Sequence, residues 1–114
     1  MLPEITVTDL GEKLKSDEKF VLFDVREHVE LKHAKIADER LEVLPLSRLV
    51  HEGAAALPES VRKQDIPVYV ICHHGNRSMQ VTGWLVSQGH KNVFNVNGGI
   101  DEYARRVDSS VGLY

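Results

Sequence analysis

The chain has 114 residues, of which 42% are hydrophobic and 27% charged, and this composition is typical of one globular domain spanning residues 1–114. Its formal net charge is −3 and it has no lysine- or arginine-rich run, which argues against nucleic acid or a membrane as a partner. Cys72 is the only cysteine, so no internal disulfide can form, and a free thiol favours a cytoplasmic location.

The first half of the chain alternates strand and helix patterns. The segment EITV (4–7) predicts a short strand, and Thr8 or Asp9 then caps a helix. The apolar run KFVLFDV (19–25) is typical of a strand buried on both faces, as in a parallel sheet. The segment EHVELKHA (27–34) predicts a weak helix.

The same alternation continues in the second half of the chain. The segment EVLPL (42–46) predicts a third strand, after which Ser47 caps a helix that Pro58 stops. The most apolar strand pattern is IPVYVIC (66–72). The segment SMQVTGWLVSQG (78–89) predicts a helix that ends at Gly89. A last strand and a last helix complete the series, at residues 92–96 and 97–107.

Regular alternation of strands and helices with short connections predicts an α/β sandwich. We expect a mostly parallel, five-stranded central sheet with helices on both faces. Ligands of such sheets bind beyond the carboxyl ends of the strands. Cys72 and Asp24 both end strand patterns, so they are the first candidates for a functional site.

The segment CHHGNRS, which begins at Cys72, joins a strand to a helix. Gly75 allows a tight or left-handed turn there, and the start of the following helix favours negative charge. Arg77 adds a permanent positive charge, and His73 and His74 add partial charge near neutral pH. A thiol in this position should ionise readily and bind or carry an anion. The alternative is a buried, inert cysteine that only packs in the core.

Three motifs occur in an order that resembles the rhodanese family of sulfurtransferases. They are FDVRE (23–27), CHHGNRS (72–78) and VFNVNGGIDEY (93–103). The resemblance implies a rhodanese-like three-layer sandwich. The end of the chain, VDSSVGLY, is similar to the ends of rhodanese modules fused to enzymes that activate sulfur carriers. The segment KHAKIADERLEVLPL (32–46) departs from the family, because it lacks the glycines common before the third strand.

The resemblance also implies a mechanism, that of a thiosulfate sulfurtransferase with Cys72 as nucleophile. Cys72 would take the outer sulfur of thiosulfate, or of a persulfide donor, and pass it to cyanide, a thiol or another thiophilic acceptor. Backbone amides of the loop would bind the transferred sulfur and its leaving group, and no cofactor would be needed. These loop residues are His73, His74, Gly75, Asn76, Arg77 and Ser78.

Two further residues match the first family motif, and two match the last. We expect Asp24 and Arg26 to support the active loop through hydrogen bonds and ion pairing, with substrate steering by Arg26 as the alternative. Gly98 and Gly99 are expected to act through the backbone, by letting the final turn pass close to the sheet.

Three alternatives to a thiosulfate sulfurtransferase are a cysteine phosphatase, a sulfur-relay module and a metal site. Cysteine phosphatases of related fold need one residue more between cysteine and arginine than the four found here, so that the loop can encircle phosphate. A sulfur-relay module, which passes persulfide sulfur to a partner protein without turnover, would keep every motif. We predict no metal site, since consecutive Cys72, His73 and His74 seldom converge on one ion and the remaining histidines have no ligand spacing.

Overall fold

The computed structural model describes residues 2–114, in which five strands form one sheet. All neighbouring strands run parallel in the order β1-β5-β4-β2-β3. The strands are β1 (Glu4–Ile5), β2 (Val21–Asp24), β3 (Leu41–Val43), β4 (Val68–Ile71) and β5 (Val93–Val96). The α/β fold with a five-stranded sheet is therefore confirmed, and the sheet is entirely parallel.

Helices cover both faces of this sheet. The α-helices are α1 (Val7–Leu14), α2 (Leu46–Glu52), α3 (Glu59–Arg62), α4 (Asn76–Ser87) and α5 (Gly99–Arg106). Short 3-10 helices occur at His28–Lys32, Gly53–Ala56 and Ser109–Val111. None of the helices described within residues 2–114 has the length and apolar character needed to cross a membrane.

The central strand β4 divides its side chains between two hydrophobic clusters. Val70 and Cys72 pack in the cluster that contains Leu85 of α4. Ile71 packs in the other cluster, with Ile100 of α5. Side chains alternate between the faces of a strand, and burial of each large apolar one contributes about 1.5–3 kcal/mol. This alternation directs the Cys72 side chain toward α4.

The beginning of α1 lies earlier than predicted. Thr6 is the capping residue, and its Oγ1 accepts a hydrogen bond of 3.1 Å from the N–H of Asp9. The prediction of Thr8 or Asp9 as the cap was wrong because β1 ends at Ile5, two residues before the end of the strand pattern. The chain therefore turns into the helix sooner.

The segment after β3 also differs from its prediction. Helix α2 begins at Leu46 with Pro45 as its N-cap, and Ser47 donates a hydrogen bond to Glu27 (2.9 Å) instead of capping. Gly53, with φ of 73°, ends α2, and Pro58 precedes α3 rather than stopping a longer helix. A glycine in the left-handed region and a proline before the first turn are both compatible with these helix boundaries.

Candidate active site

The turn after β4 brings Cys72 to the start of α4. Helix α4 begins at Asn76, two residues before the predicted start at Ser78. Gly75 precedes it with φ of 102°, which confirms the expected left-handed turn. A Cβ atom at Gly75 would lie 3.2 Å from the backbone nitrogen of Gly98, so the neighbouring turn also restricts side-chain size here.

The sulfur of Cys72 lies at the centre of this turn and is surrounded by polar groups. Its residue is 1% exposed. The Sγ atom accepts hydrogen bonds from the N–H groups of Gly75 (3.1 Å) and Ser78 (3.3 Å). The Ser78 hydroxyl lies 3.3 Å from the same sulfur and donates to Oδ1 of Asn95 on β5 (2.5 Å). Donors and a helix N-terminus both stabilise negative charge on the sulfur.

Further backbone N–H groups lie at the same end of α4. Asn76 and Arg77 occupy the first two helical positions, where no preceding turn supplies acceptors for their N–H groups. Together with the two amides that bind the sulfur, they belong to one short turn. This arrangement can bind an anion attached to Cys72.

The start of α5 binds the backbone of the same turn. The N–H of Ile100 donates to the carbonyl of Cys72 (2.9 Å), and the N–H of Asp101 donates to that of His73 (3.0 Å). A Cβ atom at Gly99 would collide with both of these carbonyl groups. The backbone role expected for the Gly-Gly turn is therefore seen as a close approach to Cys72 and His73.

Arg77 points to a carboxylate outside the loop. Its two terminal nitrogens donate to Glu30 of the first 3-10 helix at 2.7 and 2.9 Å. The hydrogen bonds from Arg77 lower the pKa of Glu30 to about 2, and those to Glu30 raise the pKa of Arg77. The Arg77 side chain is 32% exposed, so this pair lies at the surface end of the site. The positive charge of Arg77, which was expected beside Cys72, is therefore compensated by the negative charge of Glu30.

Tyr114 joins this pair to the interior. Its hydroxyl donates to Oε1 of Glu30 (2.8 Å) and accepts from Nη1 of Arg26 (3.1 Å). Its ring stacks on His73 with a centroid distance of 3.8 Å and an angle of 5° between the planes. Burial raises the pKa of Tyr114, so the hydroxyl stays protonated at neutral pH.

Asp24 and Arg26 form a second ion pair, beneath the first. Side-chain exposure is 0% for Arg26 and 3% for Asp24. Nε of Arg26 lies 3.0 Å from Oδ1 of Asp24, and Nη2 lies 2.8 Å from Oδ2. Within residues 2–114, neither side chain bonds directly to the loop of residues 72–78. Their connection to Arg77 runs through Tyr114 and Glu30.

His73 and His74 stack on each other beside the turn. Their ring centroids are 3.9 Å apart, and burial lowers the pKa of His73, so its ring is neutral at pH 7. The possible ligand atoms of these histidines and Asp101 lie within 4.8 Å of one another, a grouping with Asp101 that the sequence did not indicate. Arg105 donates to Asp101 at 2.9 Å, so this carboxylate already has a cationic partner.

Three residues of the site were missed by sequence reasoning. Asn95 is 1% exposed within an apolar strand, and an asparagine in that pattern could have indicated a buried polar contact. Glu30 lies three residues after Glu27 in a capping-box spacing, which indicates a local role rather than its bond to Arg77. No local pattern indicates the position of Tyr114.

The chain is similar to known proteins in both sequence and fold. The sequence model of the family described as "Rhodanese-like domain" matches residues 6–106. A sulfurtransferase of Allochromatium vinosum is 30% identical over 92% of this chain and 91% of its own length. The crystal structure of a rhodanese-related protein from Thermoplasma volcanium is 33% identical, covers 92% of this chain and 93% of its own, and has a TM-score of 0.72.

A longer plant relative matches as well. The chloroplastic Rhodanese-like/PpiC domain-containing protein 12 of Arabidopsis thaliana is 36% identical over 97% of this chain. The chain spans only 37% of that relative's length. Because the family model covers most of the chain and the fold agrees, the protein belongs to the rhodanese-like family.

Proposed function

We propose that the protein is a thiosulfate sulfurtransferase that carries sulfur as a persulfide on Cys72. The Cys72 thiolate attacks the outer sulfur of thiosulfate, or of a persulfide donor, and a bond from Sγ to that sulfur forms. The sulfur–sulfur bond of the donor breaks, and its electron pair leaves with sulfite or with the donor thiolate. Cyanide or another thiophilic acceptor then takes the terminal sulfur, and the Cys72 thiolate is restored.

The observation that carries this proposal is the pair of N–H groups directed at the sulfur. Gly75 and Ser78 donate to Sγ at 3.1 and 3.3 Å, at the start of a helix. A cysteine that only packs in the core needs no such donors, whereas a reacting thiolate and its persulfide are both stabilised by them. Sulfite and thiolates leave without a strong acid, so a neutral His73 is compatible with this chemistry.

Intact-mass measurement tests the proposal directly. Thiosulfate should add the mass of one sulfur atom to the protein, and cyanide should remove it with release of thiocyanate. Cys72→Ser should abolish both the added mass and the thiocyanate. Undiminished sulfur loading of Cys72→Ser, or a parent protein that takes up no sulfur from thiosulfate or a persulfide, would contradict the proposal.

A pair of glycines at the two ends of α4 provides a matched test of the turn. Gly75 and Gly89 have φ angles of 102° and 96°, so alanine is strained at both. A Cβ at Gly75 would meet the backbone of Gly98, whereas within residues 2–114 no atom lies within 4 Å of a Cβ at Gly89. Gly75→Ala should reduce sulfur transfer about a hundredfold, as expected when a charge-stabilising donor is displaced. Gly89→Ala should leave the rate nearly unchanged.

A relay module that passes sulfur to a partner protein is the second candidate. The low exposure of Cys72, 1%, favours it, because a buried persulfide is shielded from small thiols until a partner arrives. Such a module should load sulfur from a donor but release thiocyanate slowly. Multiple turnovers with thiosulfate and cyanide, measured at substoichiometric protein, would favour the free-standing enzyme.

A further inference from the structure

Two arginines of the site, Arg77 and Arg26, are already paired with carboxylates. Arg77 donates two hydrogen bonds to Glu30, and Arg26 is bound to Asp24. These four side chains therefore sum to no net charge. Burial keeps His73 neutral at pH 7, so it adds no positive charge.

Glu30 is held firmly in its position by three different groups. Besides Arg77, it accepts a hydrogen bond from the N–H of Glu27 (2.9 Å) and one from the Tyr114 hydroxyl (2.8 Å). Its side chain is 17% exposed. To bind Arg77, an incoming anion would have to displace the Glu30 carboxylate, which Glu27 and Tyr114 also hold in place.

This charge balance bears on which sulfur donor the site accepts. Thiosulfate is a dianion: besides the charge on its outer sulfur it carries one on its sulfonate group, and that group leaves as sulfite with two. A persulfide donor, R–S–S⁻, brings one negative charge, on the sulfur itself, where the amides of Gly75 and Ser78 already point. Backbone dipoles beside arginines that are already paired suit the second donor better than the first.

We propose that Glu30 determines donor specificity: by neutralising Arg77 it makes the site selective for a persulfide over thiosulfate. This inference rests on the proposed function and ranks its two donors: both load Cys72, the persulfide with the higher kcat/KM. The step is balanced, since the Cys72 thiolate forms a bond to the outer sulfur of R–S–S⁻ or R–S–SH. The sulfur–sulfur bond of the donor breaks, and R–S⁻ leaves with its electron pair.

The experiment compares two donors across three levels of local charge. The rates of Cys72 persulfide formation are measured for thiosulfate and for N-acetylcysteamine persulfide, which has an uncharged body. The net charge of the Glu30–Arg77 pair is −1 in Arg77→Gln, 0 in the parent and +1 in Glu30→Gln. The ratio of kcat/KM for thiosulfate to that for the persulfide should rise along this series, by about tenfold at each step.

Further measurements distinguish an effect of the charge of Glu30 on donor preference from a loss of local structure. In Glu30→Gln the gain for thiosulfate should lie mainly in KM, and added salt should weaken it, since the new charge is exposed to ions. Glu30→Asp should keep the donor preference of the parent, because it keeps the negative charge. Glu52→Gln is the matched control, since Glu52 also binds an arginine in a bidentate pair, with Arg48 at 2.9 and 3.1 Å. It should leave the ratio unchanged.

The outcomes distinguish this inference from the proposed function. If neither donor adds sulfur to Cys72 in the parent, the proposed function fails. If both donors load Cys72 but their ratio is equal in the three proteins, the role of Glu30 is wrong while the function stands. An equal loss of both rates in Glu30→Gln would likewise assign Glu30 a purely structural role. In that case the ratio of the two rates in Arg77→Gln still tests whether the charge of the pair selects the donor.

Discussion

Two arginine–carboxylate pairs lie one above the other at the carboxyl end of the sheet, and they differ mainly in their access to water. The Asp24–Arg26 pair has side-chain exposures of 3% and 0%, whereas the Glu30–Arg77 pair has 17% and 32%. In water the charges of a broken pair are solvated, but in the interior they are not. Breaking the inner pair should therefore cost more stability than breaking the outer pair, whereas the outer pair sets the charge near Cys72.

The largest effect is expected from breaking the inner pair. Asp24→Asn leaves the Arg26 guanidinium buried without a counter-charge, which should cost about 3–5 kcal/mol of unfolding free energy. Urea denaturation at pH 7 measures this loss. The double variant Asp24→Leu with Arg26→Met should cost less than the single change, because no buried charge remains. A loss below about 1 kcal/mol for Asp24→Asn would contradict the contrast between the pairs.

Breaking the outer pair should cost less. Glu30→Gln removes a charged acceptor for Arg77, and the freed guanidinium can still reach water, so we expect a loss of roughly 1–2 kcal/mol at pH 7. The same denaturation experiment measures it. Glu52→Gln, which breaks the exposed pair with Arg48, should change the unfolding free energy much less than Glu30→Gln does. If the two variants were equally stable, the partial burial of Glu30 would have no energetic consequence.

The contribution of Glu30 should also depend on pH. The pKa of its carboxyl is lowered from 4.5 to about 2 by the hydrogen bonds from Arg77. The folded state thus favours the ionised form, and this stabilisation is fully present above pH 4.5 and is lost as pH falls toward 2. The stability difference between the parent and Glu30→Gln should shrink across that interval. A stability difference that stayed constant from pH 5 to pH 2 would contradict the lowered pKa of Glu30.

The smallest effect is expected at the residue that joins the pairs. Tyr114→Phe keeps the ring on His73 but removes the hydroxyl between Glu30 and Arg26, for a loss of about 1 kcal/mol. Because the hydroxyl acts through Glu30, its removal should cost less in a Glu30→Gln background. A double-mutant cycle measures this coupling, which should exceed about 0.5 kcal/mol. Strict additivity would indicate that Tyr114 contributes through its ring alone.

The order of elements and the place of the turn could be predicted because they depend on local patterns. The apolar run that ends at Cys72 is the central strand, and Gly75 has the left-handed conformation that its position required. Helix boundaries were less accurate, since the choice of Thr6 over Thr8 depends on where a two-residue strand stops pairing with β5. Pairing between distant strands is a tertiary property that local propensity does not contain.

The charge balance of the site could not be predicted for a related reason. Arg77 lies in the first turn of α4 rather than in a loop, its partner Glu30 is 47 positions away in the sequence, and Tyr114 is 84 positions from Glu30. Single-sequence patterns report neighbours on one helix or strand, whereas these contacts exist only after the sheet has brought separate segments together. The turn around Cys72 could therefore be predicted from the local sequence, whereas the charged groups around it could not.

The hydrogen bonds from the start of α5 have a consequence for the motions of the molecule. The amide protons of Ile100 and Asp101 can exchange with solvent only when their bonds to the Cys72 and His73 carbonyls open. Their exchange rates therefore report how often the turn that holds the sulfur separates from α5. Cys72 is 1% exposed, so we expect the turn to open before a substrate reaches its sulfur, and the exchange of these two amide protons would measure the frequency of that opening.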